Sequence, residues 1–307
     1  MYAHELLRDA VKRACPADGA PRTVDMYNNV LRILSGTAAG WLPVDDPSMP
    51  QAMQRLLSGL LACGHGRTAE QVYVLVNKAA PMAVDGVPRP RFHRLEPSPL
   101  DDEDAQKVLH SAEDDEQLWL ALALAMACGL RRGEICGLRW DDVDMIHNQI
   151  HIQNQRQRVK GKGLVDMPPK SEAGYRIIPI PQMLTDALAG LALVNQAEAL
   201  LGGVPCPYVL SGARGRGEDP NRLDRRCQAH LRACGVHAHL HDLRHTMATI
   251  AVCNGVPMRV VQMLLGHASY TTTAKYYAHS SREAERSAVQ ILQKHLTLNQ
   301  GVPGSSP

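Results

Sequence analysis

Apolar side chains recur every three or four residues along the N-terminal third of the chain, the spacing of one helix face. Val24, Tyr27, Val30, Leu31 and Leu34 predict a helix over residues 23–34. Met53, Leu56, Leu57, Leu60 and Leu61 predict another over 50–63. Val72, Leu75, Val76 and Ala79 extend a third over 68–84, with Thr68 as its N-cap. Residues 5–14 form a further candidate. Gly and Pro separate these segments, so a four-helix unit with short connections over residues 1–95 is the simplest architecture.

The helical period stops at residues 86–100, which carry four prolines and three arginines and read as an extended linker. Its positive charge suits a segment lying along an anion, and equally a solvated connection. Helices are expected over 101–113 and 117–128, the second ended by Gly129. From 149 to 180 the period changes to two. Ile150 and Ile152 alternate with polar residues, as do Arg176, Ile178 and Ile180, with turns at Gly161, Gly163 and Gly174. That pattern predicts a small antiparallel sheet of two or three strands. Helices resume over 182–201, 221–233, 241–252, 257–265, 271–277 and 282–296. The last carries Ala284, Ala288, Ile291, Leu292 and Leu296 on one face. The expected fold class is mainly α with a small antiparallel β-sheet (α+β), in two domains, 1–95 and 96–307.

Composition narrows the class. With 307 residues, 45% hydrophobic and 21% charged, the chain has material for a real core and is neither fibrous nor mostly disordered. A single Phe (Phe92) and three Trp leave that core to Leu, Val, Ile, Ala and Met. The longest apolar stretches, such as residues 118–126, are far below the ~20 residues of a membrane span. Residues 1–13 are charged and lack the apolar region of a signal peptide, so a cytoplasmic protein with no membrane partner is expected. Eight cysteines include no C-x-x-C pair; buried free thiols are expected, with neither a zinc site nor a cofactor. A net charge of +2 neither announces nor excludes a nucleic-acid partner, because patches matter more than totals.

The second half holds an unusual inventory of donors. Arg131 follows a helix end, Lys170 sits beside a turn between strands, and His241 and Arg244 share a helix face. His267 follows Gly266, and Tyr277 lies ten residues beyond. No carboxylate cluster accompanies them, whereas Mg²⁺-dependent phosphodiester chemistry needs carboxylates. Two arginines can each grip two phosphate oxygens. A lysine can protonate a leaving alkoxide. A phenol in a positive field can act as nucleophile. Duller readings stand beside these: a helix-end cation for Arg131, a solvated hairpin lysine for Lys170 next to Lys160 and Lys162, and a core anchor for either Tyr276 or Tyr277.

The ordered motifs carry a resemblance. Ala127-Cys128-Gly129-Leu130-Arg131-Arg132-Gly133-Glu134-Ile135-Cys136-Gly137-Leu138-Arg139-Trp140 resembles the arginine box of the tyrosine recombinases. His241-Asp242-Leu243-Arg244-His245-Thr246 resembles their H-x-L-R-H box. Leu264-Leu265-Gly266-His267, with Thr272-Thr273 and Tyr276-Tyr277-Ala278-His279, resembles the box that carries the nucleophile. Pro168-Pro169-Lys170-Ser171 with Arg176-Ile177-Ile178-Pro179 resembles the hairpin of the catalytic lysine.

The resemblance implies a phage- or transposon-type integrase, with a SAM-like helical core-binding domain over 1–95 and a catalytic domain with a tail helix over 96–307. It implies that Arg131 and Arg244 hold the scissile phosphate and that His241 and His267 donate to it or assist proton transfer. Lys170 would protonate the leaving 5′ oxygen, Tyr277 would attack, and Glu134 would brace the site. It implies double-stranded DNA as partner, a homotetramer on two sites through the C-terminal tail, and room for accessory DNA-bending proteins. Arg156, Arg158, Lys160, Lys162, Lys170 and Arg176, with Arg214, Arg216, Arg222, Arg225, Arg226 and Arg232, are distributed as a DNA clamp would need. Two alternatives remain: a helix-turn-helix regulator built on residues 256–277, and a tyrosine topoisomerase that relaxes DNA without exchanging partners.

Overall fold

The computed structural model describes residues 4–92, 99–159, 161–212 and 215–267. The chain divides into two compact units, Met1–Glu96 and Pro97–Pro307.

The first unit contains α1 (Leu7–Arg13), α2 (Pro21–Ser35), α3 (Met49–Ala62) and α4 (Gly66–Ala79). Their apolar faces meet in a core that includes Leu7, Tyr27, Val30, Leu34, Met53, Leu57, Val72 and Val76. Tyr27, Val30 and Leu34 are the buried stripe that the helical period picks out in α2. Two details differ from the sequence expectation. Helix α4 starts at Gly66 after His65, so Thr68 lies inside its first turn and is not the N-cap. It also stops at Ala79, and 81–84 is a separate 3-10 turn. Pro81 has no N–H to continue the ladder and forces Ala80 out of helical geometry, to φ −151°. Residues 85–92 form no helix. Arg89 there pairs with Glu70 of α4 at 2.7 Å.

The second unit is built around α6 (Glu116–Cys128), which is buried on every side from Leu120 to Ala125. A helix apolar all round belongs at the centre of a domain, and α6 packs against α10 (Leu240–Cys253) and α8 (Gln182–Leu200). Its start is capped by Asp115, which accepts the Leu118 N–H at 3.1 Å. Its end is Gly129 in the left-handed region, φ +62°. Around it lie α5 (Asp102–His110), α7 (Arg132–Gly137), α9 (Pro220–Ala233) and α11 (Met258–Leu265).

Residues 143–179 make two sheets among the described residues, where the sequence predicts one. β1 (Val143–Asp144), β2 (Gln149–Ile152) and β5 (Arg176–Pro179) form an antiparallel sheet in the order β1-β2-β5, with Ile150 opposite Ile178 and both buried. β3 (Gln155–Val159) and β4 (Gly163–Met167) form a separate hairpin. The hairpin lacks an alternating apolar face because it docks through a buried cation: Arg156 stands opposite Asp166, binds it at 2.8 Å, and lies 3.6 Å over the Tyr208 ring. The short helix α7 has no signal in the helical period. Gly133 and Gly137 put its bare backbone against β3, where a Cβ on Gly137 would stand 2.9 Å from the Arg156 nitrogen.

All eight cysteines are free thiols, but Cys63 is exposed and Cys15 and Cys253 are half-buried, against the expectation of burial throughout. Burial pushes the Cys128 and Cys227 thiols up to about 12, so these two are packing residues rather than nucleophiles. No helix among the described residues is long and apolar enough to cross a membrane.

Candidate functional site

Two helix ends build the site, and each closes on a left-handed glycine. Helix α6 ends at Gly129 and α11 at Gly266, φ +61°. A side chain would not fit at either. A Cβ on Gly129 would lie 2.7 Å from Leu265 Cδ2, and one on Gly266 would lie 2.8 Å from the Ala173 carbonyl. The last carbonyls of a helix have no partner within it and carry its negative dipole end. Here arginines cap them. Arg244 donates to the carbonyls of Gly129 and Leu265. Arg131 donates to the Gly266 carbonyl at 3.1 Å, and Arg176 to the Leu264 carbonyl at 2.7 Å.

Arg131 is the N-cap of α7 rather than a cation at the end of α6. Its backbone N–H donates to Glu134 Oε2 at 2.8 Å and its Nη1 to Oε1 at 2.7 Å, while about a third of its side chain stays exposed. Glu134 is 4% exposed. Burial by itself would raise its carboxyl, but the Arg176 hydrogen bonds and the charges of Arg176, Arg131 and Arg244 outweigh that and hold it at about 2. It is therefore ionised throughout the neutral range.

His241 stands in the first turn of α10, one turn before the fully buried Arg244. Its ring meets His245 edge to face with centroids 4.8 Å apart. Desolvation, then the positive potential of His245, Arg244 and Arg131 against Asp242, lowers it to about 4, although the residue keeps an exposed side. His267 directly follows Gly266, its N–H on the Gln262 carbonyl at 3.2 Å. Burial, then Arg244, Arg131, His241 and His245, lowers it to about 3. Arg131 on the Gly266 carbonyl, His267 next in the chain, Arg244 on the Gly129 and Leu265 carbonyls and His241 one turn before Arg244 form one cluster. Both imidazoles are neutral near pH 7, each with one N–H to donate and one nitrogen to accept.

Lys170 is exposed, in the bend between β4 and the 3-10 turn Glu172–Gly174. That turn reaches the cluster through Ala173, whose carbonyl faces Gly266. Tyr277, Tyr276 and the 282–296 segment lie outside the described residues, as do Lys160 and Arg214.

The expected clamp needs correcting at several positions. Arg156 and Arg176 point inward and are bound to Asp166 and Glu134. Arg222 and Arg226 pair with the fully buried Glu218, and Arg158 pairs with Asp219 at 2.6 Å. Arg156 and Arg176 would have to break a buried ion pair to meet a phosphate, whereas Arg158 and Arg222 keep close to half of their side chains exposed. Lys162, Lys170, Arg216, Arg225 and Arg232 are exposed, as is Arg158 beside its Asp219 partner. Arg176, expected in the clamp, instead joins Glu134 to the end of α11. Its partner lies 42 residues away, so local spacing gives no sign of it.

Residues 99–284 match the model of the phage integrase family. Curated relatives include a tyrosine recombinase XerC-like protein of Caldanaerobacter subterraneus, 28% identical over 69% of this chain and 57% of its own length. A tyrosine recombinase of Pseudothermotoga lettingae is 30% identical over 69% of this chain and 66% of its own. Tyrosine recombinase XerC of Mycobacterium tuberculosis is 33% identical over 61% and 60%. The matched stretch thus spans less than two thirds of each of these relatives. Among solved structures, the Tn1549 transposon integrase in complex with transposon right end DNA superposes with a TM-score of 0.77 at 20% identity, covering 94% of this chain and 100% of that one. A lambda integrase dimer bound to a core site gives 0.65 at 17% identity, covering 91% and 79%.

Proposed function

The chain belongs to the phage integrase family, and on that premise we propose that it is a tyrosine-type site-specific DNA recombinase. It would cleave and rejoin duplex DNA through a 3′-phosphotyrosyl intermediate. The observation that carries the reading is the cluster of Arg131, His241, Arg244 and His267 around the paired ends of α6 and α11.

The chemistry follows from the donors. The guanidinium groups of Arg131 and Arg244 offer paired N–H groups to the non-bridging oxygens of a phosphodiester and take up the charge that grows in the transition state. The neutral imidazoles of His241 and His267 donate one N–H each or accept the phenol proton. An anionic phosphate beside them reverses part of the positive potential that depresses their pKa values, and so favours proton uptake as the reaction proceeds. The Tyr277 oxygen forms the bond to phosphorus, the bond to the 5′ oxygen breaks, and Lys170 gives that oxygen its proton. The phosphodiester energy is kept in the phosphotyrosine, and no nucleotide is needed.

In this reading residues 1–95 hold the DNA core site and residues 96–307 carry the chemistry, with four copies on two sites joined through the tail. The DNA-bound integrases among the similar structures support duplex DNA as the partner. The family match favours this reading over a helix-turn-helix regulator. A topoisomerase would share the adduct but not exchange partners between sites.

Covalent trapping on a nicked duplex tests the proposal. The wild type should form an adduct in EDTA without nucleotide, Tyr276→Phe should still form it, and Tyr277→Phe should bind DNA without forming it. A DNA remnant mapped to Tyr276, or a strict Mg²⁺ requirement for the adduct, would overturn the assignment.

A further inference from the structure

We propose that Arg176 is a positioning residue for strand cleavage: acting through Glu134 and the end of α11, it sets where Arg131 stands against the scissile phosphate. The inference rests on the recombinase reading above.

Arg176 opens β5, and its side chain is 6% exposed. Its guanidinium spans Glu134 and two backbone carbonyls. Nε donates to the Leu264 carbonyl at 2.7 Å, Nη1 to Glu134 Oε1 and to the Gly174 carbonyl at 3.1 Å each, and Nη2 to Glu134 Oε2 at 2.9 Å. Arg131 approaches the same carboxylate, with its backbone N–H on Oε2 and Nη1 on Oε1. Each carboxylate oxygen therefore takes one bond from each arginine.

Two consequences follow. The first is geometric. Arg131 rests on Glu134 at one end and on the Gly266 carbonyl at the other. Arg176 grips Glu134 directly, and it holds the Leu264 carbonyl two residues before Gly266. Both supports of Arg131 thus depend on one buried fork. The second is electrostatic. Glu134 paired with Arg131 alone would cancel the charge that a phosphate needs. Arg176 adds a second cation, so the Arg131–Glu134–Arg176 group keeps a net positive charge. Four of the five N–H groups of Arg176 are taken by Glu134 and backbone carbonyls, so it serves the phosphate through its neighbours and not by contact. A lysine could replace the charge but not the planar fork.

The test compares wild type, Arg176→Gln, Glu134→Gln and the double variant on a nicked duplex. It reads single-site DNA affinity and the single-turnover rate of adduct formation. Arg176→Gln should slow the adduct at least ~30-fold while changing Kd less than ~3-fold, the pattern of an interaction that matters in the transition state. Arg176→Lys should lose about tenfold, since charge returns without the fork. The double variant should be no slower than the slower single one, because residues acting through one another are not additive. Wild-type rate in Arg176→Gln, or losses that multiply in the double variant, overturn the proposal. If Arg176→Gln does not fold, Arg176→Lys decides: a tenfold loss of rate at unchanged Kd supports it and wild-type rate overturns it. Absence of an adduct from the wild type strikes instead at the recombinase reading.

Discussion

Glu134→Gln should destabilise the second unit by an amount that depends on pH in a calculable way. The carboxyl falls from an ordinary 4.5 to about 2 in the folded protein. At ~1.4 kcal/mol per pH unit that gap is roughly 3 kcal/mol of stability. The side chain is 5% exposed, so solvent screening removes little of it. A folded pKa below the unfolded one means the contribution is complete above about 4.5 and fades as pH falls through about 2. The linkage relation leaves about half of it near pH 3. The figure agrees with the ~3–5 kcal/mol lost when one partner of a buried ion pair is removed. Glutamine keeps the shape and one acceptor oxygen but turns an N–H₂ toward two guanidinium groups. For a unit of this size, ~3 kcal/mol corresponds to a Tm lower by about 6–12 °C. Urea unfolding of both proteins from neutral pH down to about pH 2, followed by Trp119 and Trp140 fluorescence, gives the difference directly. It should be near 3 kcal/mol at neutral pH and shrink toward zero at the acid end. A difference independent of pH would refute the ion-pair argument and leave only a packing effect.

Two further outcomes concern the proposed reaction. Lys170→Ala should slow cleavage strongly and be largely rescued by a 5′-sulfur leaving group, which departs without a proton; rescue of Lys160→Ala instead would move the role to the other lysine. Removing residues from Arg282 onward should reduce recombination and pairing of sites more than single-site DNA binding, as gel shifts and a two-site assay would read; equal loss of both would mean that the tail packs on its own unit.

Helices with one apolar stripe were legible from their period, and α6, apolar all round, from its long apolar run. The expected helix at 23–34 is observed as Pro21–Ser35, and the one at 221–233 as Pro220–Ala233. One end was legible for a local reason too: Gly129 closes the helix expected over 117–128. Helix α7 was not, because its glycines answer to the β3 backbone, a constraint that exists only in the folded unit. The β3–β4 hairpin was legible as turns but not as a separate sheet, since its anchor is Arg156 on Asp166 and Tyr208 and not an apolar face. For the candidate site, ordered motifs pointed to Arg131, His241, Arg244 and His267, and the structure brings these four together. The exposed Lys170 approaches them only through the Ala173 turn.

Counting basic residues did worst, for a physical reason. An arginine facing a phosphate and one neutralising a buried carboxylate look the same in a sequence, and the carboxylate that decides is often distant. Where it is near, the pairing could have been read. Glu218 lies just before the N-cap of α9, four residues before Arg222 and eight before Arg226. Arg131 and Glu134 are likewise three apart. Arg176 and Glu134 are not near, and Arg158 reaches Asp219 across 61 residues. Desolvation sharpens the distinction. Arg176 and Arg156 are buried with their carboxylates, and stripping them out would leave an uncompensated charge, so a passing phosphate does not compete for them. The exposed set of Lys162, Lys170, Arg216, Arg225 and Arg232 carries no such penalty. On the recombinase reading the surface left for phosphates is accordingly narrower than the arginine content suggests: buried Arg176 acts by fixing the geometry of Arg131 and the end of α11, and buried Arg156 by docking the β3–β4 hairpin.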